Sequence, residues 1–267
     1  MDTTKALNVR SYGSGRRTIV LAHGFGLDQS IWERYIPMLW RYRVVVFDLA
    51  GSGTSARDYF DATRHAHLEG HADDLLRIIS QRAIANCAFV GHSVSGMIGI
   101  LAAIRSPSLF ERLILAGCSP RYLDDAGYRG GFDSTEVEGV LAALQSNFRE
   151  WAMAITPLTV SRPLEDQACQ TFLHSLLRME PDKALVMMKA ILMSDYRTVL
   201  GECAVPVSLL QTKNDPAVPL EAALYLKDHL PRAELEILDA SGHQPQLSAP
   251  EVFAAALQRH LPEPDLR

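Results

Sequence analysis

The sequence has no basic run and no excess of positive charge. Its 26 Lys and Arg are outnumbered by 31 Asp and Glu, a net charge of −5. That balance argues against a nucleic-acid footprint. Nor does any apolar stretch approach the ~20 residues that a membrane span needs; the run Met97–Ile104 even contains a glycine. The opening Met1-Asp2-Thr3-Thr4-Lys5 has no apolar h-region, so no secretory signal is expected. The four cysteines, Cys87, Cys118, Cys169 and Cys203, form no C-x-x-C pair. They read as reduced packing residues of an intracellular protein, cytoplasmic and, in a eukaryote, also nuclear. Repeats and low-complexity tracts are absent. What remains is a chain of 267 residues, 48% hydrophobic and 21% charged. A globule of that size buries roughly 70–75% of its unfolded surface and needs no staples.

Short β-rich runs alternate with helical patterns. Strands are expected at Thr18–Ala22, Tyr42–Phe47, Cys87–Val90, Arg112–Ala116, Val205–Gln211 and Glu234–Leu238. They lack in/out alternation, the mark of a parallel sheet covered on both faces. Met97, Ile100, Leu101 and Ile104 fall at helical spacing, predicting a helix over 94–105. Further helices are expected near 68–80, 219–229 and 250–261. The class is α/β, a mostly parallel central sheet flanked by helices.

From Arg121 to Arg197 the alternation stops. Three helical patterns follow: Val137 through Trp151, then Phe172, Leu176 and Met179, then Leu185, Met188 and Leu192. Inserted between strands, this stretch reads as a helical cap, residues 121–197, over a core of residues 1–120 and 198–267. Open α/β sheets bind ligands at the carboxyl edge of their strands, where such a cap would sit.

Chemistry concentrates at Gly91-His92-Ser93-Val94-Ser95, where a strand runs into a helix with a serine at the bend. This has the form of a G-x-S-x-G nucleophile elbow, with Ser95 at the last glycine. The helix N-terminus there favours a developing anion. His23-Gly24-Phe25-Gly26 follows another strand and has the form of an oxyanion loop, making the Phe25 and Val94 N–H groups the candidate donors. His23 itself reads as structural. An acid and a base then follow in order, each after a late strand: Asp215, 122 residues beyond Ser93, and His243, 28 beyond Asp215. Ser93 needs a base; His243 would take its proton, and Asp215 would fix the imidazole tautomer.

Other features carry plainer readings. His65-Ala66-His67-Leu68-Glu69-Gly70-His71 is close to a zinc-hydrolase pattern, but its acid is misplaced, and surface histidines near a helix start are expected instead. Gly51-Ser52-Gly53 lacks the Gly and Lys of a phosphate loop and reads as a turn. The cap methionines Met153, Met179, Met187, Met188 and Met193 are either an adaptable pocket roof or ordinary packing. Neither metal nor cofactor is expected.

Together these segments resemble, nearly end to end, the α/β-hydrolases that include the plant karrikin and strigolactone receptors and a bacterial stress regulator acting upstream of an alternative sigma factor. The likeness is carried by His23–Gly26 with Asp28-Gln29-Ser30 and Trp32, by Gly91–Ser95 with Met97-Ile98-Gly99, and by Ser119–Leu123 and Gly130-Gly131-Phe132. It continues through Ala184-Leu185, Ser194-Asp195, Asp215 with Ala217-Val218-Pro219, and Gly242-His243 with Pro245–Ser248. In that family the G-H-S-V-S form is usual. The resemblance implies an α/β-hydrolase fold with a four-helix cap inserted after the sixth strand, over an apolar pocket floored by Ser93, His243 and Asp215. It implies slow hydrolysis of a small, mostly apolar ester or butenolide-type lactone, and a strigolactone- or karrikin-like receptor role in which a signalling protein docks on the cap. Phe25, Trp151, Ile155 and Met193 would contact the ligand. Gly96 departs from the family's Ala, and Ile155 and Met193 stand where its plant members often carry aromatics. The alternatives are a signalling regulator with incidental hydrolysis, a general carboxylesterase, and a cofactor-free lyase or peroxidase on the same scaffold.

Overall fold

Five residues in a row, Thr18–Ala22, four of them apolar, are all buried, and they form the strand β2 in the interior of a seven-stranded sheet. The computed structural model describes residues 2–264. Met1 and residues 265–267, which the sequence reading assigns to the core, lie outside the described residues. The strands are β1 (Arg10–Tyr12), β2, β3 (Arg43–Phe47), β4 (Cys87–His92), β5 (Phe110–Ala116), β6 (Val207–Asn214) and β7 (Ala233–Ser241). Their order is β1-β3-β2-β4-β5-β6-β7, with β1 antiparallel to β3 and every other pairing parallel. All six predicted strands are present, and four of the helices match the predicted spans closely: Leu68–Gln81, Val94–Arg105, Leu220–His229 and Pro250–His260. No helix among the described residues is long and apolar enough to cross a membrane.

The chain runs from β2 outward to β3, then returns to place β4 on the other side of β2. This reversal leaves a crevice at the carboxyl ends of β2 and β4, the position where open α/β sheets bind ligands. Ala22 pairs with Gly91, so the loop after β2 and the bend after β4 start side by side. The helix Val94–Arg105 behind that bend has ten buried residues, since it is covered by both the sheet and the helix Leu68–Gln81. An all-round apolar surface is what such a sandwiched helix requires.

Between β5 and β6 stand four helices, Ser134–Ser146, Phe148–Val160, Gln167–Leu176 and Pro181–Leu192. The first apolar pattern, expected as one helix from Val137 to Trp151, is two. Asn147 takes an extended conformation and its side chain caps the second helix at the Glu150 N–H, 3.2 Å. Asp133 and Glu136 form a capping box at the start of the first. The insertion follows the fifth strand rather than the sixth. Near the N-terminus Asp2 caps a helical turn, Thr3–Ala6, and among the described residues Arg10–Tyr12 is the one strand that precedes β2.

Candidate active site

Ser93 sits at the junction of β4 and the following helix with φ 55° and ψ −124°. A non-glycine residue there is strained, and the surroundings must hold it. They do so through the Ser93 N–H, which donates to the Ala116 carbonyl at 2.7 Å, and the Ser93 carbonyl, which accepts from Gly96 at 2.8 Å. Gly91 is required because a Cβ would meet the Ser95 carbonyl oxygen and the Phe89 ring. Ser95, in the place of the motif's last glycine, donates its hydroxyl to the His23 carbonyl at 2.5 Å. It thereby ties the bend to the loop after β2, a role the sequence motif does not announce.

His243 Nε2 lies 2.8 Å from Ser93 Oγ, and its Nδ1 lies 2.9 Å from Asp215 Oδ2 and 3.1 Å from Oδ1. Asp215 Oδ1 accepts the backbone N–H groups of Ala217 and Val218 at 2.8 and 3.0 Å, and Oδ2 accepts the Gln211 amide at 3.3 Å. Burial of Asp215 works to raise its pKa. The His243 imidazole and the two N–H donors outweigh that and hold it below the usual carboxylate range. With the Asp215 carboxylate ionised, the Nδ1 proton is fixed toward it, and Nε2 is left as the acceptor facing Ser93 Oγ.

Two further histidines frame this arrangement. His92 Nε2 bonds the His243 carbonyl at 2.8 Å, and burial pushes the ring's pKa down to about 3. It is therefore neutral and carries its proton on Nε2. His23 donates from Nδ1 to the Gly24 carbonyl at 2.8 Å and accepts the Leu49 N–H on Nε2 at 3.0 Å. Burial lowers its pKa as well, and it is structural, as the sequence reading expects. Among the described residues, neither the Phe25 nor the Val94 N–H has a protein acceptor.

Above Ser93 lies a cavity of about 340 Å³. Its upper wall is apolar: Phe25, Phe132, Trp151, Ile155, Phe172 and Met188 are among the lining residues. Tyr122, which the sequence reading did not single out as a site residue, also lines it; burial raises its phenol pKa and a hydrogen bond to Ser93 opposes that. Of the anticipated contact residues, Phe25, Trp151 and Ile155 face the cavity. Met193 does not. The last cap helix ends at Leu192, and Met193 turns outward, 59% exposed, into a groove beside Ala66, His67 and Tyr196. Ile191 and Leu192 take the inner face. Of the cap methionines, Met188 alone lines the cavity; Met153 is exposed, and Met179 and Met187 are buried packing.

The second histidine cluster departs from expectation. His65 and His71 are buried rather than on the surface, and their ring nitrogens stand with Asp74 within 4.8 Å. The 3-10 turn Arg64–Ala66 folds His65 back against the helix Leu68–Gln81, which carries His71 and Asp74. The His65 ring is already committed at both nitrogens. His65 Nδ1 accepts the Asp61 N–H at 2.9 Å, so the proton on Nε2 is donated to Asp74 at 3.0 Å. Asp74 also receives the Arg64 guanidinium and the Tyr59 hydroxyl, each at 2.7 Å. A donor set with a guanidinium on its carboxylate does not suit a cation.

Comparison with known proteins follows the same lines. The sequence model of the Alpha/beta hydrolase family matches residues 19–256. A strigolactone esterase of Arabidopsis thaliana is 46% identical, covering 97% of this chain and 97% of its own. The karrikin insensitive 2 receptor CA of Petunia hybrida is 41% identical, covering 96% of each chain. A solved hydrolase from Oleispira antarctica superposes with a TM-score of 0.92 at 29% identity, covering 97% of this chain and 95% of the other.

Proposed function

The chain belongs to the Alpha/beta hydrolase family and is an ester hydrolase, and from that premise we propose that Ser93, His243 and Asp215 cleave a small, mostly apolar ester or butenolide-type lactone. The observation that carries this reading is the unbroken hydrogen-bonded line from Asp215 through His243 to Ser93 at the floor of an apolar cavity. His243 Nε2 accepts the Ser93 proton as Oγ attacks the carbonyl. Asp215 stabilises the imidazolium that results. The oxyanion moves toward the N–H groups of Phe25 and Val94, each such donor being worth about 3 kcal/mol in the transition state. Collapse breaks the ester bond, and His243 returns the proton to the leaving alkoxide; with a lactone, that alkoxide stays on the acyl chain. Water then attacks the acyl-Ser93 by the same route in reverse. The cavity wall supplies aromatic and aliphatic contact, which favours a neutral ligand whose acyl and alkyl parts are small enough for about 340 Å³.

A receptor role is the second reading. It is favoured by the likeness to a plant protein named a karrikin receptor, and in it a signalling protein docks on the cap when the ligand is bound. One experiment addresses both. The protein and Ser93→Ala are incubated with para-nitrophenyl acetate and with a panel of butenolides, and turnover, thermal shift and intact mass are followed. The wild type is expected to release nitrophenol and Ser93→Ala to lose about 10⁴-fold or more of the rate. Unchanged turnover in Ser93→Ala overturns the hydrolytic reading. A butenolide that raises the melting temperature of both proteins while being turned over slowly supports the receptor reading.

A further inference from the structure

We infer that Asp28 is a positioning residue for the oxyanion hole and that the cap holds it in place through Ser175 and Arg178. The inference rests on the assignment of the Phe25 N–H as an oxyanion donor.

The loop Gly24–Asp28 is clamped from two sides. From below, Gly24 lies so close to His92 and Ser93 that a Cβ would strike both. The Leu27 N–H closes the turn onto the Gly24 carbonyl at 3.3 Å, and the Gln29 N–H reaches Asp48 at 3.0 Å at the end of β3. From above comes the cap helix Gln167–Leu176. Its Phe172 and Leu176 fill the space that a side chain on Gly26 would need, and Gly26 itself has φ +76°.

Asp28 is where the two sides meet. It is 5% exposed. Its Oδ1 accepts the Ser30 N–H at 2.9 Å and so caps the 3-10 helix Gln29–Trp32. Its Oδ2 accepts the Ser175 hydroxyl at 3.1 Å and the Arg178 guanidinium. Both of these donors belong to the cap. A buried carboxylate stripped of its cation and hydroxyl is unstable where it stands, and the cheapest relief is to carry it toward water. That movement drags the loop three residues from Phe25. A transition-state donor displaced by about 1 Å loses most of its effect, since such errors cost up to ~100-fold in rate.

Seating of the cap is thus felt at the reacting carbonyl as well as at the pocket roof. A cap displacement that withdraws Ser175 and Arg178 would slow hydrolysis without altering Ser93, His243 or Asp215. The residue acts through Phe25 and touches no substrate, so its signature is a fall in kcat rather than a rise in KM.

The test uses steady-state hydrolysis of para-nitrophenyl acetate by the full chain, with Ser93→Ala as reference. Arg178→Ala is expected to lower kcat about tenfold and Asp28→Asn about 10- to 100-fold, with KM changed less than about threefold. Arg178→Lys should recover most of the loss. The double variant Asp28→Asn/Arg178→Ala should be no slower than Asp28→Asn alone, because both break one contact. Thermal unfolding identifies any variant that fails to fold; Arg178→Ala and Ser175→Ala, at the edge of the cap, carry the test if Asp28→Asn does not fold. Wild-type kcat in folded Arg178→Ala and Ser175→Ala overturns the inference, as do losses confined to KM or effects that multiply in the double variant. Turnover persisting in Ser93→Ala instead removes the hydrolytic reading on which the inference stands.

Discussion

Among the described residues stand two buried histidine–aspartate pairs of nearly equal geometry. His243 and Asp215 are 2.9 Å apart, His65 and Asp74 3.0 Å. Their second ring nitrogens separate them. In His243 that nitrogen points at the Ser93 hydroxyl beneath a cavity. In His65 it is closed off by the Asp61 backbone N–H, and Arg64 neutralises the carboxylate. A histidine–carboxylate pair becomes a base only where its outer nitrogen meets a proton to be taken. Where both ends are satisfied, the same pair is a brace between a 3-10 turn and a helix.

The sharpest way to separate the pairs is to remove the carboxylate charge from the first. Asp215→Asn should keep the fold, the backbone N–H bonds of Ala217 and Val218 being made to the side-chain oxygen. The amide favours the opposite imidazole tautomer, with its proton aimed at Ser93. A drop of about 10⁴-fold in kcat for para-nitrophenyl acetate is expected. A loss smaller than about tenfold would show that His243 does not depend on its partner and would erase the contrast with His65.

The reciprocal change comes next in size and falls on stability. Asp74→Ala leaves the Arg64 guanidinium, the His65 Nε2–H and the Tyr59 hydroxyl without their common acceptor. The cost is expected at about 3–5 kcal/mol in urea unfolding, with kcat/KM per folded molecule within about twofold of wild type. A stable Asp74→Ala with damaged turnover would make the second pair functional after all.

How much of this was legible in the sequence depends on the range of the contacts involved. Strand and helix spans were readable because β2 is buried throughout and the helix after Ser93 is buried at ten of its positions, so both are dominated by apolar residues. The order Ser93, Asp215, His243 was readable because each follows a strand, and a parallel sheet brings such loops to one edge. The edge strand Arg10–Tyr12 was not, since it is short, largely exposed and has no apolar signature. Nor was the break at Asn147, where one continuous apolar stripe serves two helices and a single side-chain cap divides them. The burial of His65 and His71 depends on a partner nine residues along from His65 and on a turn that folds back, so local polarity misleads. The bonds Ser95 to His23 and Arg178 to Asp28 span 72 and 150 residues and leave no local trace.

Each pair also has a second histidine beside it, and these carry the smallest effect. His92 lies against His243 and His71 against His65, with ring centroids 5.1 and 4.7 Å apart. Burial pushes both pKa values from 6.5 down to about 3, each neighbouring imidazole adding to the effect. The folded state therefore stays unprotonated at these rings while the unfolded chain takes up protons below pH 6.5. Stability must fall as pH drops from about 6.5 toward 3, at roughly 1.4 kcal/mol per pH unit for each ring well inside that window. Asp74 and Asp215 act lower down. Their folded pKa values lie below 3.8, so their contribution is present above that pH and lost as pH falls through the folded values. Urea unfolding of wild type and His71→Phe between pH 7 and 4 tests the assignment. The variant is expected to show a shallower decline by about one proton's slope and unchanged kcat/KM at pH 7. An identical slope would mean that His71 is already charged in the folded state, and the second pair would then be a site that titrates rather than a brace.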